Sequence, residues 1–287
     1  ALSTSNLVAL DSGQFAALTT RQIAGLTTSQ VAALESADLV ELSTSQIRAL
    51  TTAQIAALGT TQFADLTSTQ VAALTTTQVR AMQTADVAAL ETTDLVEMST
   101  AQLAAFTTAQ FAALETSQLT ALTTAQIASL GTAQLSSLTT SDLVALDSGQ
   151  FVALTTAQVA SLTTNQIAAL ESADLVEFST AQIRALTTSQ IAALGTTQVA
   201  ELTSTQVAAL STTQVRALQT ADVAALETTD LVEMSTAQIA AFTTAQFAAL
   251  ETSQLTALTT AQIASLGTAQ LSSLTTSDLV ALDSGQF

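Results

Sequence analysis

The chain has 287 residues, 48% of them hydrophobic and only 10% charged, and it contains no Pro, Cys, His, Trp or Tyr. Its 23 acidic residues against five arginines give a formal charge of −18. That balance excludes the basic face a nucleic-acid binder needs and disfavours anionic membrane surfaces. Without Cys there are no disulfides or thiolate metal sites, and the apolar share is too high for intrinsic disorder.

The N-terminal ALSTSNLVAL has no basic stretch, so it does not read as a signal peptide. No apolar run approaches the roughly 18 residues of a membrane span, and no membrane insertion is expected. From Leu2 onward the chain repeats every eight residues. Stepping by eight gives 36 positions ending at Leu282, all Leu except Met82, Met98, Met234, Phe106, Phe178 and Phe242. With Leu as position one, position three is always Ser or Thr, and position five is Gln or Asp except for Asn6. Position six is Val, Ile, Leu or Phe, positions seven and eight are mostly Ala, and the consensus reads LTTAQIAA. No insertion interrupts the register, which is the signature of a repeat array.

A β-strand would place the large residues of positions one and six on opposite faces. A continuous α-helix turns about 100° per residue, so an eight-residue stripe would spiral around it and face no single partner. A short helix restarted in every octad fits better. Ser or Thr followed three residues later by Gln is a capping box, as in Thr51 with Gln54, Thr107 with Gln110 and Thr187 with Gln190. The apolar residues at positions one and six then form a hydrophobic staple across the cap. Position two varies to Glu, Gln and Gly whereas position three never leaves Ser or Thr, so the cap can be either residue. One octad is too small to hold its own fold, and stability must come from packing between octads, as in solenoids. The expected fold class is therefore all-α, a superhelical solenoid of very short helices, with its handedness and octads per turn undetermined.

A longer period overlies the first. DSGQF stands at Asp11–Phe15, Asp147–Phe151 and Asp283–Phe287, 136 residues apart, so duplicated blocks of 17 octads start near residues 11 and 147. No linker or change of composition separates them, and residues 1–287 read as one continuous array. The array begins and ends within a repeat, so it is expected to be part of a longer chain.

Candidate chemistry is sparse. A Ser or Thr nucleophile has no His, Lys or Cys to activate it, and an array without insertions has no loops to build a pocket for an Asp/Glu acid–base pair. An enzyme is not expected, and no cofactor beyond a metal ion. One constellation recurs: Glu35, Asp38 and Glu41; Glu91, Asp94 and Glu97; Glu171, Asp174 and Glu177; Glu227, Asp230 and Glu233. Spacings of three place neighbouring carboxylates on one helix face, and hard oxygen donors suit Ca²⁺, which makes these twelve the metal candidates. The competing explanation is that the first two acids favour the positive helix start and the third is a solvated charge. Threonines at positions two and three would form hydroxyl ladders, a pattern compatible with ordered water and ice, although capping explains their recurrence more directly. All nine Phe residues fall at positions one or six and read as core. Arg48, Arg80, Arg184 and Arg216 occupy position seven, where each is expected to pair with a carboxylate of a neighbouring repeat.

Tandem octads of the form L-T-T-x-Q-I-x-A resemble, over the whole chain, the repeat tracts of very large bacterial secreted and surface proteins of the adhesin or RTX-like type. The resemblance implies an extracellular or cell-surface location and a spacer or adhesive role. The LTxxQ opening also looks like the first helix of TAL-effector repeats, but their 34-residue period, Pro and basic residues are missing, so DNA binding does not carry over. The glycine-rich nonapeptides of RTX calcium repeats are absent too. The expected function is a structural spacer or adhesive stalk. The alternative is a scaffold binding a protein or surface ligand, Ca²⁺ or ice. Expected partners are neighbouring repeats or domains of a parent protein, with self-association as a further expectation.

Overall fold

A computed structural model describes residues 3–282; Ala1, Leu2 and the third DSGQF copy at Asp283–Phe287 lie outside them. Among the described residues there are 35 α-helices of four to six residues, one per octad, and no strand. The expectation of a solenoid of very short helices is met.

The octad makes such a helix for local reasons. Position two is the N-cap, with Thr51 at φ −74°, ψ 160°, and its hydroxyl accepts from the Gln54 N–H at 3.2 Å. Gln54 Oε1 in return accepts the Thr51 N–H at 2.7 Å. Of the two positions left open by the sequence, position two is therefore the cap, and the invariant Ser or Thr at position three is the first helical residue. At the other end, position one turns extended, as in Leu50 at φ −61°, ψ 134°. Two successive residues near the polyproline II region thus break the helix before the next one starts. Among the described residues no φ is positive, so no helix end uses a left-handed glycine.

The cap is asymmetric. Where position two is Gly59, Gln83, Glu115 or Gly131, no side-chain acceptor reaches the helix start, yet the position-five side chain still accepts the cap N–H. The return half is supplied from position five, which explains why position two varies freely and position five does not.

The chain forms two compact units, Ala1–Leu146 and Asp147–Phe287, and the division falls at the second DSGQF copy. Within each unit a helix packs on the third helix before it and the third after it. Thr92–Glu97 lies between Ser68–Ala73 and Thr116–Thr120, and Thr228–Glu233 between Ser204–Ala209 and Thr252–Ala257. Each unit is thus a tight coil of octads. Positions one and six form its core: Ile55, Phe63, Leu103 and Phe111 are fully buried, and Leu58, Met98 and Phe106 nearly so. The described Phe residues are buried at positions one or six as expected. Phe151 and Phe178 pack with ring centroids 6.1 Å apart and planes tilted by 50°.

Candidate functional site

The polar centre of each octad is position five. Gln54 is 2% exposed, which is rare for a side chain of its polarity unless its amide is fully bonded. Its Oε1 closes the start of its own helix, and its Nε2 donates to Ile23 O and Leu26 O, both at 2.8 Å and 31 and 28 residues earlier. Those carbonyls flank the end of the helix four octads back, where the last carbonyls of any helix lack partners. One amide therefore caps two helices at once, the front of its own and the back of another. The pattern recurs through the first unit, for example at Gln78 and Gln110, and through the second at Gln190 and Gln214. The sequence signal for this role is the near-invariance of Gln, of which a capping box uses only the acceptor half.

Aspartate occupies the same slot at several octads and works differently. It has no N–H to give. Asp94 accepts the Glu91 N–H on Oδ2 at 3.0 Å and the Ser68 hydroxyl on Oδ1 at 2.8 Å, 26 residues away. Equivalent hydroxyl bonds join Ser12 to Asp38, Thr60 to Asp86, Thr196 to Asp222 and Ser204 to Asp230. The donor is always the position-three residue three octads earlier. Where Asp86 and Asp222 replace Gln, position two of the same octad is Gln83 or Gln219, and its Nε2 reaches Ala56 O at 3.0 Å or Ala192 O at 2.9 Å. The tie to the preceding turn is thus partly restored from a different residue.

Burial holds the Asp86 carboxyl above its ordinary pKa against its Gln83 and Thr60 donors. Burial likewise raises Asp94 and Asp230, with the carboxylates of Glu91 and Glu227 adding to the effect. Asp174 is raised by burial and then by Glu171 and Glu177. Asp278, only partly buried, is lowered by the Thr275 hydroxyl and N–H.

The four acidic triplets are not assembled into cages. Glu35, Glu91, Glu171 and Glu227 are N-cap residues with exposed side chains. Asp38, Asp94 and Asp230 turn into the coil interior, and Asp174 is half-buried. Glu41, Glu97, Glu177 and Glu233 at position eight remain exposed. Among the described residues no three carboxylates converge as metal ligands. In two triplets the first two acids do meet, but as a return cap in which Asp94 accepts the Glu91 N–H and Asp230 the Glu227 N–H, while the position-eight acids stay exposed.

The position-seven arginines also differ from expectation. Arg48 Nε donates to Ala73 O at 3.0 Å, Arg80 to Ala105 O at 3.3 Å, Arg184 to Ala209 O at 2.9 Å and Arg216 to Ala241 O at 3.2 Å. The partner is a main-chain carbonyl three octads on, not a carboxylate. Those four alanines are the alanines among the buried core residues. Each arginine lies over a position that is otherwise half-open.

Two surface clefts stand in equivalent places of the two units. One, of about 480 Å³, is lined by residues including Ser68, Thr92, Val96 and Glu97; the other, of about 530 Å³, by Ser204, Thr228, Val232 and Glu233. Val96 and Val232, 41% and 43% exposed, replace the usual position-seven alanine and give each cleft an apolar wall. Asp94 and Asp230 sit beneath, bonded to the lining serines.

These features define a repeat protein of the α-solenoid class, a coil of octads stitched by position-five side chains. A family model described as the ALTTAQ repeat matches residues 1–28, 31–68, 87–124, 111–148, 137–171, 167–204, 223–260 and 247–284. The chain belongs to the ALTTAQ repeat family, and the string itself stands at residues 49–54, 121–126, 153–158 and 257–262. No curated protein matches the chain. Among the described residues no helix is long and apolar enough to cross a membrane.

Proposed function

We propose that the array is a structural spacer or adhesive stalk in a large bacterial extracellular or surface protein, and a scaffold rather than an enzyme. One observation carries the reading: the octad uses its polar groups on itself. The cap hydroxyl and both ends of the Gln amide are taken up in joining helices. What remains for solvent is mostly Ala, Ser and Thr, a surface of little chemical variety. Resemblance to the repeat tracts of bacterial surface proteins supplies the setting. A spacer is expected to hold length. Small-angle scattering of the whole chain should therefore give a particle several times longer than its cross-section; a compact globule would sink the proposal.

A second reading is favoured by the paired clefts. Val96 and Val232 are exposed where alanine is the rule, each beside a carboxylate and several hydroxyls. Such a surface suits a protein ligand bound once per unit. Immobilised chain carrying Val96→Ala and Val232→Ala would lose that partner while keeping its circular dichroism.

A further inference from the structure

The position-five slot is built for a donor, and aspartate cannot be one at neutral pH. At the glutamines, Nε2 places its two hydrogens on carbonyls 28 and 31 residues back, as Gln110 does at 2.7 and 2.9 Å. By the same offsets, Asp94 stands in register with Leu66 O and Phe63 O, and Asp86 with Leu58 O and Ile55 O. A carboxylate in that slot offers only acceptors: Oδ2 to its own cap N–H, Oδ1 to the Ser or Thr hydroxyl 26 residues earlier. Asp86, Asp94 and Asp230 are each only 2% exposed, so water supplies little of what the missing hydrogens would have given.

The ionisable surroundings share one sign. Asp94 has Glu91 and Glu97 on its own octad and the cap Glu115 on the following packed helix; the preceding packed helix, Ser68–Ala73, has no ionisable residue and follows Asp65. For Asp230 the corresponding groups are Glu227, Glu233, Glu251 and Glu201, and helix Ser204–Ala209 has none. Helix Thr60–Ala64, packed on the helix of Asp86, ends at Asp65, and helix Thr108–Phe111 has no ionisable residue. No cation belongs to these octads; Arg48 and Arg184 reach the ends of the preceding packed helices, where each donates its Nε to a main-chain carbonyl, Ala73 O or Ala209 O.

We propose that the buried carboxylates of Asp86, Asp94 and Asp230 are proton-uptake sites that strengthen the join between successive turns as the pH falls toward the ordinary carboxylate range. One proton from solvent makes each carboxylate a carboxyl. The 2.8 Å hydrogen bond between Ser68 and Asp94 survives with the donor reversed, and the serine hydrogen is released to a neighbouring acceptor. No existing bond is lost, and a desolvated charge disappears from a surface rich in carbonyl oxygens. Between the unfolded and the raised folded pKa, the folded chain holds a proton that the unfolded chain has released. Stability therefore increases on acidification through that window and declines as the pH rises through the folded values. The coil is acid-responsive whether or not the array acts as a spacer.

The test compares urea unfolding midpoints of the whole chain at pH 7.5 and pH 4.8. Three proteins are needed: the native sequence, the triple variant Asp86→Asn/Asp94→Asn/Asp230→Asn, and a charge-matched control, Glu35→Gln/Glu41→Gln/Glu177→Gln, altered at exposed acids away from these three aspartates. The native chain and the control should both gain on acidification. The triple variant should start higher at pH 7.5 and gain less than half as much. A triple variant that tracks the control at both pH values overturns the proposal. Should the variant not fold, ¹³C titration of the native aspartate carboxyls decides: Asp86, Asp94 and Asp230 must titrate above exposed aspartates, and ordinary values at all three overturn it.

Discussion

The side-chain nitrogen of Gln110 lies 2.7 Å from the carbonyl oxygen of Met82, 28 residues earlier, while its oxygen lies 2.8 Å from the backbone nitrogen of Thr107. A single side chain thus joins the entry of one helix to the exit of another on the turn below. Helices of four to six residues are too short to persist alone in water, and this bridge converts a row of unstable turns into a coil.

Gln110→Leu keeps most of the side-chain volume and removes the amide, leaving buried carbonyls and a cap N–H without their partner. The expected cost is roughly 2–4 kcal/mol, from about 1–3 kcal/mol for each buried group left unpaired. Thr107→Ala removes only the forward half of the same box and should cost about 1 kcal/mol. Amide exchange from Leu103 to Leu114 measures both. Equal acceleration in the two variants would mean that the bridge to Met82 and Val79 contributes nothing.

Phe111 is fully buried at position six. Phe111→Ala should cost about 3–5 kcal/mol through lost burial and the cavity left behind. Val96→Ala, at an exposed position-seven site, should stay within about 0.5 kcal/mol. Thermal melting of the two variants side by side checks the ranking, and comparable losses would contradict the assignment of positions one and six as the core.

Arg80→Ala should lower the melting temperature by exposing Ala105 and removing a donor from its carbonyl. Because the partner is a main-chain oxygen, the difference from the native chain should persist in 1 M NaCl. Ion pairing between exposed side chains is strongly screened at that ionic strength. A difference that vanishes with salt would restore the carboxylate partner that the sequence suggests.

Asp278 and Asp94 should titrate on opposite sides of an ordinary aspartate. Hydroxyl and N–H donors from Thr275 lower the first, while burial raises the second. Asp278 therefore adds stability above its unfolded pKa that is lost as the pH falls through its folded value, the reverse of Asp94. A single ¹³C carboxyl titration reads both, and a reversed order would contradict the two environments.

Much of this coil is written in the octad itself. The capping box, the restart of a helix every eight residues and the burial of positions one and six follow from side-chain chemistry within one repeat, and they are visible at Thr51, Gln54 and Ile55. Which octads meet is not. That depends on small rotations at the two extended residues of each junction, such as Leu50 and Thr51, accumulated over three octads, and no residue type marks them. Gln54 Nε2 and Arg48 Nε find their partners only once that pairing exists, so neither the amide's second role nor the arginine's carbonyl is legible in a single repeat. The acidic triplets show the same limit. Spacing fixes which side of a helix Asp94 occupies, but the next turn of the coil decides that this side is inside.

The invariant hydroxyl at position three has a consequence for how such a chain lengthens. The long-range ties end on atoms that all octads carry: a main-chain carbonyl for Gln54 and Arg48, a Ser or Thr oxygen for Asp94. Deleting or copying whole octads changes which repeat answers a given side chain, but the replacement offers the same atom in the same place. Slippage during replication can therefore shorten or extend the gene in steps of eight codons and still deliver a protein whose tethers all find an anchor. The two 17-octad blocks are what such a history would leave behind.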